Sequence, residues 1–252
     1  MKKMKKVFAL VVTFSMLLAA TSFAYEVVDV KGGGGIKGKI KATEKIKDPV
    51  IPIKVKPKPD PKETEQEKSV CGESQQAGMY IISAANEVKN VMVIVEDVKK
   101  GKAAPKADLT IDNNKCYFVP LVSITYKGSD FIIKNSDPLL HNTNLGILLD
   151  SKRSTVYNLA LPRKDQVIKK PARRTGLHAV KCDAHEWMRA YVYVSEHPYV
   201  AITDASGSFE IKDLPPGKYK VRIWHEGFKE VTKDVDVSAG KASDLSVTLT
   251  KK

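Results

Sequence analysis

The stretch "KCDAHEWM", residues 181–188, places a thiol at Cys182, an imidazole at His185 and a thioether at Met188, at intervals of three. Each can offer a soft or borderline donor atom to a metal ion. Zinc sites built from Cys and His use paired cysteines or repeated histidines, and a thioether is not a normal zinc donor. A thiolate, two imidazoles and a weak, distant thioether instead suit a mononuclear copper ion of the blue type. That set needs a second imidazole, and the chain offers His141, His178, His197 and His225. The best context belongs to His141, in "KNSDPLLHNTN".

Cysteine arithmetic sharpens the case. The chain has three cysteines, and in an oxidising compartment exposed pairs of thiols become disulfides. Cys71 and Cys116 flank a strand-and-loop segment without a histidine or methionine at ligand spacing, and they are the natural pair. Cys182 is left over, among donors. A lone cysteine is more often a small buried hydrophobe than a ligand, but a free thiol that survives export is unusual, and a bound metal would protect it.

Export is expected from the N-terminus. "MKKMKK" is a basic region, "VFALVVTFSMLLAA" an apolar core too short to span a bilayer, and "SFA" a small-residue cleavage signal after Ala24. The expected product is a soluble protein of the periplasm or exterior of a bacterial cell, with no later membrane span. The formal charge of +13 falls to +9 without residues 1–24, which hold four lysines and no acid. A basic balance has a plain reading, a solvated lysine-rich surface, and a sharper one, docking to an acidic redox partner or an anionic envelope component. Nucleic acid is a poor fit, because the lysines are spread out and not interleaved with aromatic residues.

The elements that must position these donors read as β. "GGGGIKGKIKA" alternates Ile36, Gly38, Ile40 and Ala42 with lysines, the period of a half-buried edge strand. "PVIPIKVKPKPDPKETEQEKS" reads as an extended linker or lariat. "NVMVIVEDV" is a buried strand, and further strands are expected over 108–112, 117–126, 129–135, 155–160, 177–182 and 189–195. Past residue 197, short alternating strands are punctuated by Asp204 to Gly207 and by Pro215, Pro216 and Gly217, which are turn signals. The fold class is all-β, two sandwiches in tandem. The expected division is a leader over 1–24, an N-terminal strand and Pro/Lys-rich linker over 25–69, a first sandwich over 70–196 and a smaller one over 197–252.

Taken together, "NSDPLLHN" and "CDAHEWM" resemble the cupredoxins, the family of plastocyanin and amicyanin. Asn135 precedes His141, Asn142 follows it, and a Cys-x-x-His-x-x-Met loop closes 41 positions later. From "CG" at 71 to "LPPGKYKVRIWHE", the chain is similar to bacterial proteins that join a cupredoxin of the plastocyanin-like or methylamine-utilisation-like kind to a carboxypeptidase regulatory-like, transthyretin-type sandwich. The resemblance implies copper as cofactor, His141, Cys182 and His185 as equatorial ligands, and Met188 as the axial one. It gives Asn142 the task of steadying the ligand loop. Glu186 stands where such proteins often have proline, and a carboxylate there would lower the reduction potential if it points inward. Asn144 stands where a further histidine is common. His178 lies four residues before Cys182 on the same expected face; packing in the sandwich is the plainer reading for it, a fourth ligand the sharper one. For Trp224, Tyr199, His197 and His225 the expectation is an interdomain contact with histidines at its rim.

No nucleophile triad, phosphate loop or paired carboxylates are evident, so catalysis is the weaker class. Two classes remain: an electron carrier whose exposed His185 is the electron exit, and a non-redox copper-binding or envelope-associated structural protein.

Overall fold

In the computed structural model, residues 25–150 and 152–252 are described; the expected leader over 1–24 lies outside them. Nearly all regular structure is β. The first sandwich packs a four-stranded sheet, ordered Val167–Pro171, Asp130–Asn135, Leu109–Asn114 and Tyr117–Val119, on a five-stranded one, ordered Lys152–Leu161, His141–Leu149, Gly176–Lys181, Arg189–Ser195 and Val122–Tyr126. Phe118, Phe131, Ile133, Leu145, Leu161 and Val192 fill the space between them, with Cys182 and Met188 at the same core. Alternation along Asp130–Asn135 produces this directly: Phe131, Ile133 and Asn135 are buried, and the residues between them half-buried.

The second sandwich is assembled from both ends of the chain. One sheet is ordered Val200–Ile202, Met92–Val95, Gly217–Trp224 and Val231–Val237, and the other places Gly34–Ala42 between Ser208–Leu214 and the strands Ala242–Asp244 and Val247–Leu249. Two strands read as preceding the first sandwich or belonging to it, Gly34–Ala42 and Met92–Val95, therefore pair in the second. Nor is Gly34–Ala42 an edge. It has neighbours on both sides, and Gly38 explains how: a Cβ there would stand 2.2 Å from the Leu245 carbonyl oxygen, so only glycine lets the parallel neighbour approach.

The two sandwiches meet face to face. Met92, Ile94, Val200 and Trp224 from the second bury against Val122 and Leu177 of the first, and the Trp224 ring meets Tyr191 edge-on with centroids 5.0 Å apart. Tyr199 does not share that contact. It is fully buried in the core of the second sandwich, where its hydroxyl accepts from the Lys102 amide and donates to the Asp213 carbonyl.

One helix, Pro61–Cys71, lies in the segment read as an extended linker. Its start follows ordinary capping: the Asp60 carboxylate accepts the Lys62 N–H at 2.9 Å, proline holds the first turn, and Glu63 meets the positive end of the helix. Cys71 at its end is bonded to Cys116, the pair expected from the sequence. Among the described residues, no helix is long and apolar enough to cross a membrane.

Candidate metal centre

Three donors converge at one end of the first sandwich. His141 opens the strand His141–Leu149, while Cys182 and His185 lie in the turn that follows Gly176–Lys181. The Nδ1 atoms of His141 and His185 are 3.0 Å apart, and the Cys182 Sγ lies 4.0 Å and 3.5 Å from them. All three residues are at most 3 % exposed. Bonds of about 2.0–2.3 Å to one ion space its donors by about 3–4 Å for angles of roughly 95–120° between them. The donor set and its spacing fit a small, soft-accepting ion.

Each donor is held by neighbours. Nε2 of His141 donates to Asp137 Oδ2 at 2.8 Å, which leaves Nδ1 to face Cys182. Asp137 also accepts the backbone N–H groups of Lys115 and Cys116. Burial pushes its carboxyl up, but His141 and these two donors outweigh that and hold it below the usual range. The loop carrying both is fixed by buried Asn135, which donates to the Leu139 and Leu161 carbonyls and accepts from the Asp137 N–H. Asn142 stitches the ligand loops together: its N–H donates to Cys182 Sγ at 3.4 Å, and its Oδ1 accepts from the Asp183 N–H. Met188, 2 % exposed, returns its N–H to the His185 carbonyl at 3.0 Å and closes the loop.

The electrostatics favour a thiolate. Burial raises the Cys182 thiol, but hydrogen bonds with His141 and His185 and from the Asn142 N–H bring it down to about 6. His141 is the counterpart: burial lowers it, while Asp137 and Cys182 raise it above its ordinary value overall.

Not every residue singled out from the sequence joins this cluster. Glu186 points away and is paired at the surface with Lys56 at 3.2 Å, its side chain 81 % exposed. His178 is buried, its Nδ1 bonded to the Gly176 carbonyl and its ring edge-on to Phe131; burial lowers it to about 4. It belongs to no group of converging donors among the described residues, and neither do His197 and His225. Cys116 lies near Asp137 and His141, but its sulfur is spent in the disulfide. Asn144 donates to Asp183 beside the loop.

Two carboxylates were not legible. Asp137 stood inside the quoted "NSDPLLHN" without being assigned a role; an acid four residues before a histidine was the available signal. Glu67 comes from the helix Pro61–Cys71, with Oε1 3.4 Å from His185 Nε2 and Oε2 2.5 Å from Lys58. This segment covers His185, which is 2 % exposed and not the open surface imidazole expected of an electron exit. Between segment and loop lies a mostly apolar cavity of about 690 Å³, lined by Ile51, Val55, Leu140, His185 and Trp187.

Residues 188–250 match the family described as the carboxypeptidase regulatory-like domain. The match begins at Met188, takes in strand Arg189–Ser195 of the first sandwich and omits the two N-terminal strands that complete the second. Among solved structures, the chain is similar to a purple cupredoxin from Nitrosopumilus maritimus, with 22 % identity over 35 % of this chain and 99 % of that one and a TM-score of 0.30. It is also similar to amicyanin from Paracoccus versutus, with 19 % identity over 40 % and 96 % and a TM-score of 0.29. A copper-containing nitrite reductase from Thermus scotoductus SA-01 follows at 16 % identity, covering 38 % of this chain but only 24 % of that one, with a TM-score of 0.31. Similarities this small bear no weight for the candidate site, whose description rests on the geometry above. No match is found among curated proteins. The chain is thus an all-β protein of two packed sandwiches whose residues 188–250 match the carboxypeptidase regulatory-like domain.

Proposed function

We propose that this chain is an exported copper protein that holds one ion through His141, Cys182, His185 and Met188 and carries electrons without catalysing a reaction of its own. The observation that supports it best is the convergence of two Nδ1 atoms and one buried Sγ within 4.0 Å of one another. Copper, when bound, supplies one-electron exchange between Cu(I) and Cu(II). The protein's residues supply the rest: Asp137 fixes the His141 tautomer, Asn142 donates to the thiolate, and burial keeps water from the sulfur. The chain's basic balance, with Lys54 on the covering segment beside the site where Lys56 and Lys58 are paired with Glu186 and Glu67, favours an acidic redox partner or an anionic envelope component. Loading with Cu(II) should give one ion per chain and an intense thiolate-to-copper band in the visible; Cys182→Ser should abolish the band and leave the fold intact. Tight zinc binding with only a pale Cu(II) spectrum would defeat this reading.

A second reading, a protein that holds copper without exchanging electrons, is favoured by the cover over His185. Reversible voltammetry with rapid electron self-exchange would exclude it.

A further inference from the structure

Helices usually dock through apolar side chains. Pro61–Cys71 has little of that: Val70 and Cys71 at its end pack on the core of the first sandwich, and its only buried residues are Glu67 and Cys71, four apart on one face. A buried carboxylate is costly unless it is paired, and Glu67, 5 % exposed, meets a cation through one oxygen and an imidazole through the other. Asp137 makes a closer contact of the same kind with His141, a hydrogen bond of 2.8 Å to Nε2 where Glu67 stands 3.4 Å from His185 Nε2. Both ligand rings therefore have a carboxylate at Nε2 and turn Nδ1 toward Cys182.

We propose that Glu67 is a positioning residue that accepts the Nε2 proton of His185, holding the Nδ1 lone pair toward the metal and keeping the helix over the outer edge of the ring. Its consequence for metal affinity rests on the copper reading; its effect on the imidazole does not. The disulfide fits the same role. Cys71 ends the helix that carries Glu67, and the Cys116 N–H donates to Asp137, so one covalent link joins the supports of both carboxylates. Lys58, from the covering segment itself, pairs with the other Glu67 oxygen, which leaves Oε1 to face the ring.

The test uses the full chain with ¹⁵N-labelled histidine. In metal-free protein at mildly alkaline pH, the ring nitrogens of His185 should report a proton fixed on Nε2. Glu67→Ala should give mixed tautomers, and Glu67→Gln, which keeps an acceptor oxygen in reach, should restore the Nε2–H form. In parallel, Glu67→Ala should weaken Cu(II) binding by about 10–100-fold and alter the copper hyperfine splitting, with Glu67→Gln recovering most of both. A wild-type His185 protonated on Nδ1, or a tautomer and affinity unchanged in Glu67→Ala, would overturn the proposal. If Glu67→Ala does not fold, the wild-type tautomer and the Glu67→Gln variant still decide it. If wild type binds no copper through Cys182, the proposed function fails, while the nitrogen spectra still judge Glu67.

Discussion

Nδ1 of His141 faces Nδ1 of His185 across 3.0 Å. Two lone pairs cannot be held that close in a buried site without a cation between them or a proton on one of them. Against burial, Asp137 and Cys182 raise the basicity of His141, and against burial the two imidazoles and the Asn142 N–H depress the Cys182 thiol. In metal-free protein, the thiolate absorbance should therefore appear as pH rises through about 6, well below an ordinary cysteine. His141→Ala removes one of the two imidazole hydrogen bonds and should move that midpoint upward, and Cys182→Ser should abolish the transition. Ultraviolet absorbance against pH checks all three. A midpoint at the ordinary cysteine value would mean that the imidazoles do not support the sulfur.

The loop residues divide into those that face the site and those that do not. A long, weak thioether tunes potential more than affinity, so Met188→Leu should keep the Cys182-dependent colour and raise the reduction potential. The sequence alone suggested that Glu186→Gln would also raise it, since removing a nearby negative charge disfavours Cu(II). With Glu186 exposed and paired to Lys56, water screens that charge, and the variant should leave the potential essentially unchanged. His178→Ala should not alter the spectrum. Voltammetry and visible spectra of the three variants check this. A spectrum changed by His178→Ala and untouched by Met188→Leu would point to His178 as the fourth donor.

The donors were legible in sequence because Cys182, His185 and Met188 occupy one loop and His141 carries a distinctive neighbourhood. Their supports were less so. Asp137 lay within the motif, but Glu67 reaches His185 across more than a hundred residues from a segment whose prolines suggested extended chain. Its start signal, Asp60 before Pro61, was present and was outweighed by composition. Alternation likewise identified Gly34–Ala42 and Met92–Val95 as strands. A period of two fixes faces and not partners, so it could not show that these strands complete the far sandwich.

The disulfide offers a simpler check. Denatured, unreduced, metal-free protein should show one reactive thiol, on Cys182, with peptide mapping returning Cys71 joined to Cys116. Cys71→Ala with Cys116→Ala should lower stability by about 2–5 kcal/mol and loosen the helix that carries Glu67. Denaturant unfolding and hydrogen exchange over residues 61–71 measure the two effects. Unchanged exchange there would mean that the helix is held without the covalent link.

Stability itself should fall in mild acid, and two buried histidines set the window. Burial, then the Lys252 ammonium, lowers His225 to about 4, and burial lowers His178 to about 4. In the unfolded chain both take up a proton near their ordinary value of about 6.5. Between these values the unfolded state holds more protons, so stability is fully present above about 6.5 and is lost as pH falls toward 4. Each histidine contributes up to about 1.4 kcal/mol per pH unit within that window. For His225 the structural event is explicit. Its Nδ1 accepts the Gly227 N–H at 3.0 Å, and its ring packs between Tyr80 and Phe228, so a proton on Nδ1 breaks a buried hydrogen bond and places a charge among aromatic rings. His225→Gln should be less stable than wild type at neutral pH but lose less on acidification. Denaturant midpoints at pH 7, 5.5 and 4.5, on the order of one pH unit apart, give the comparison. Parallel curves for the two proteins would show that His225 does not carry this dependence.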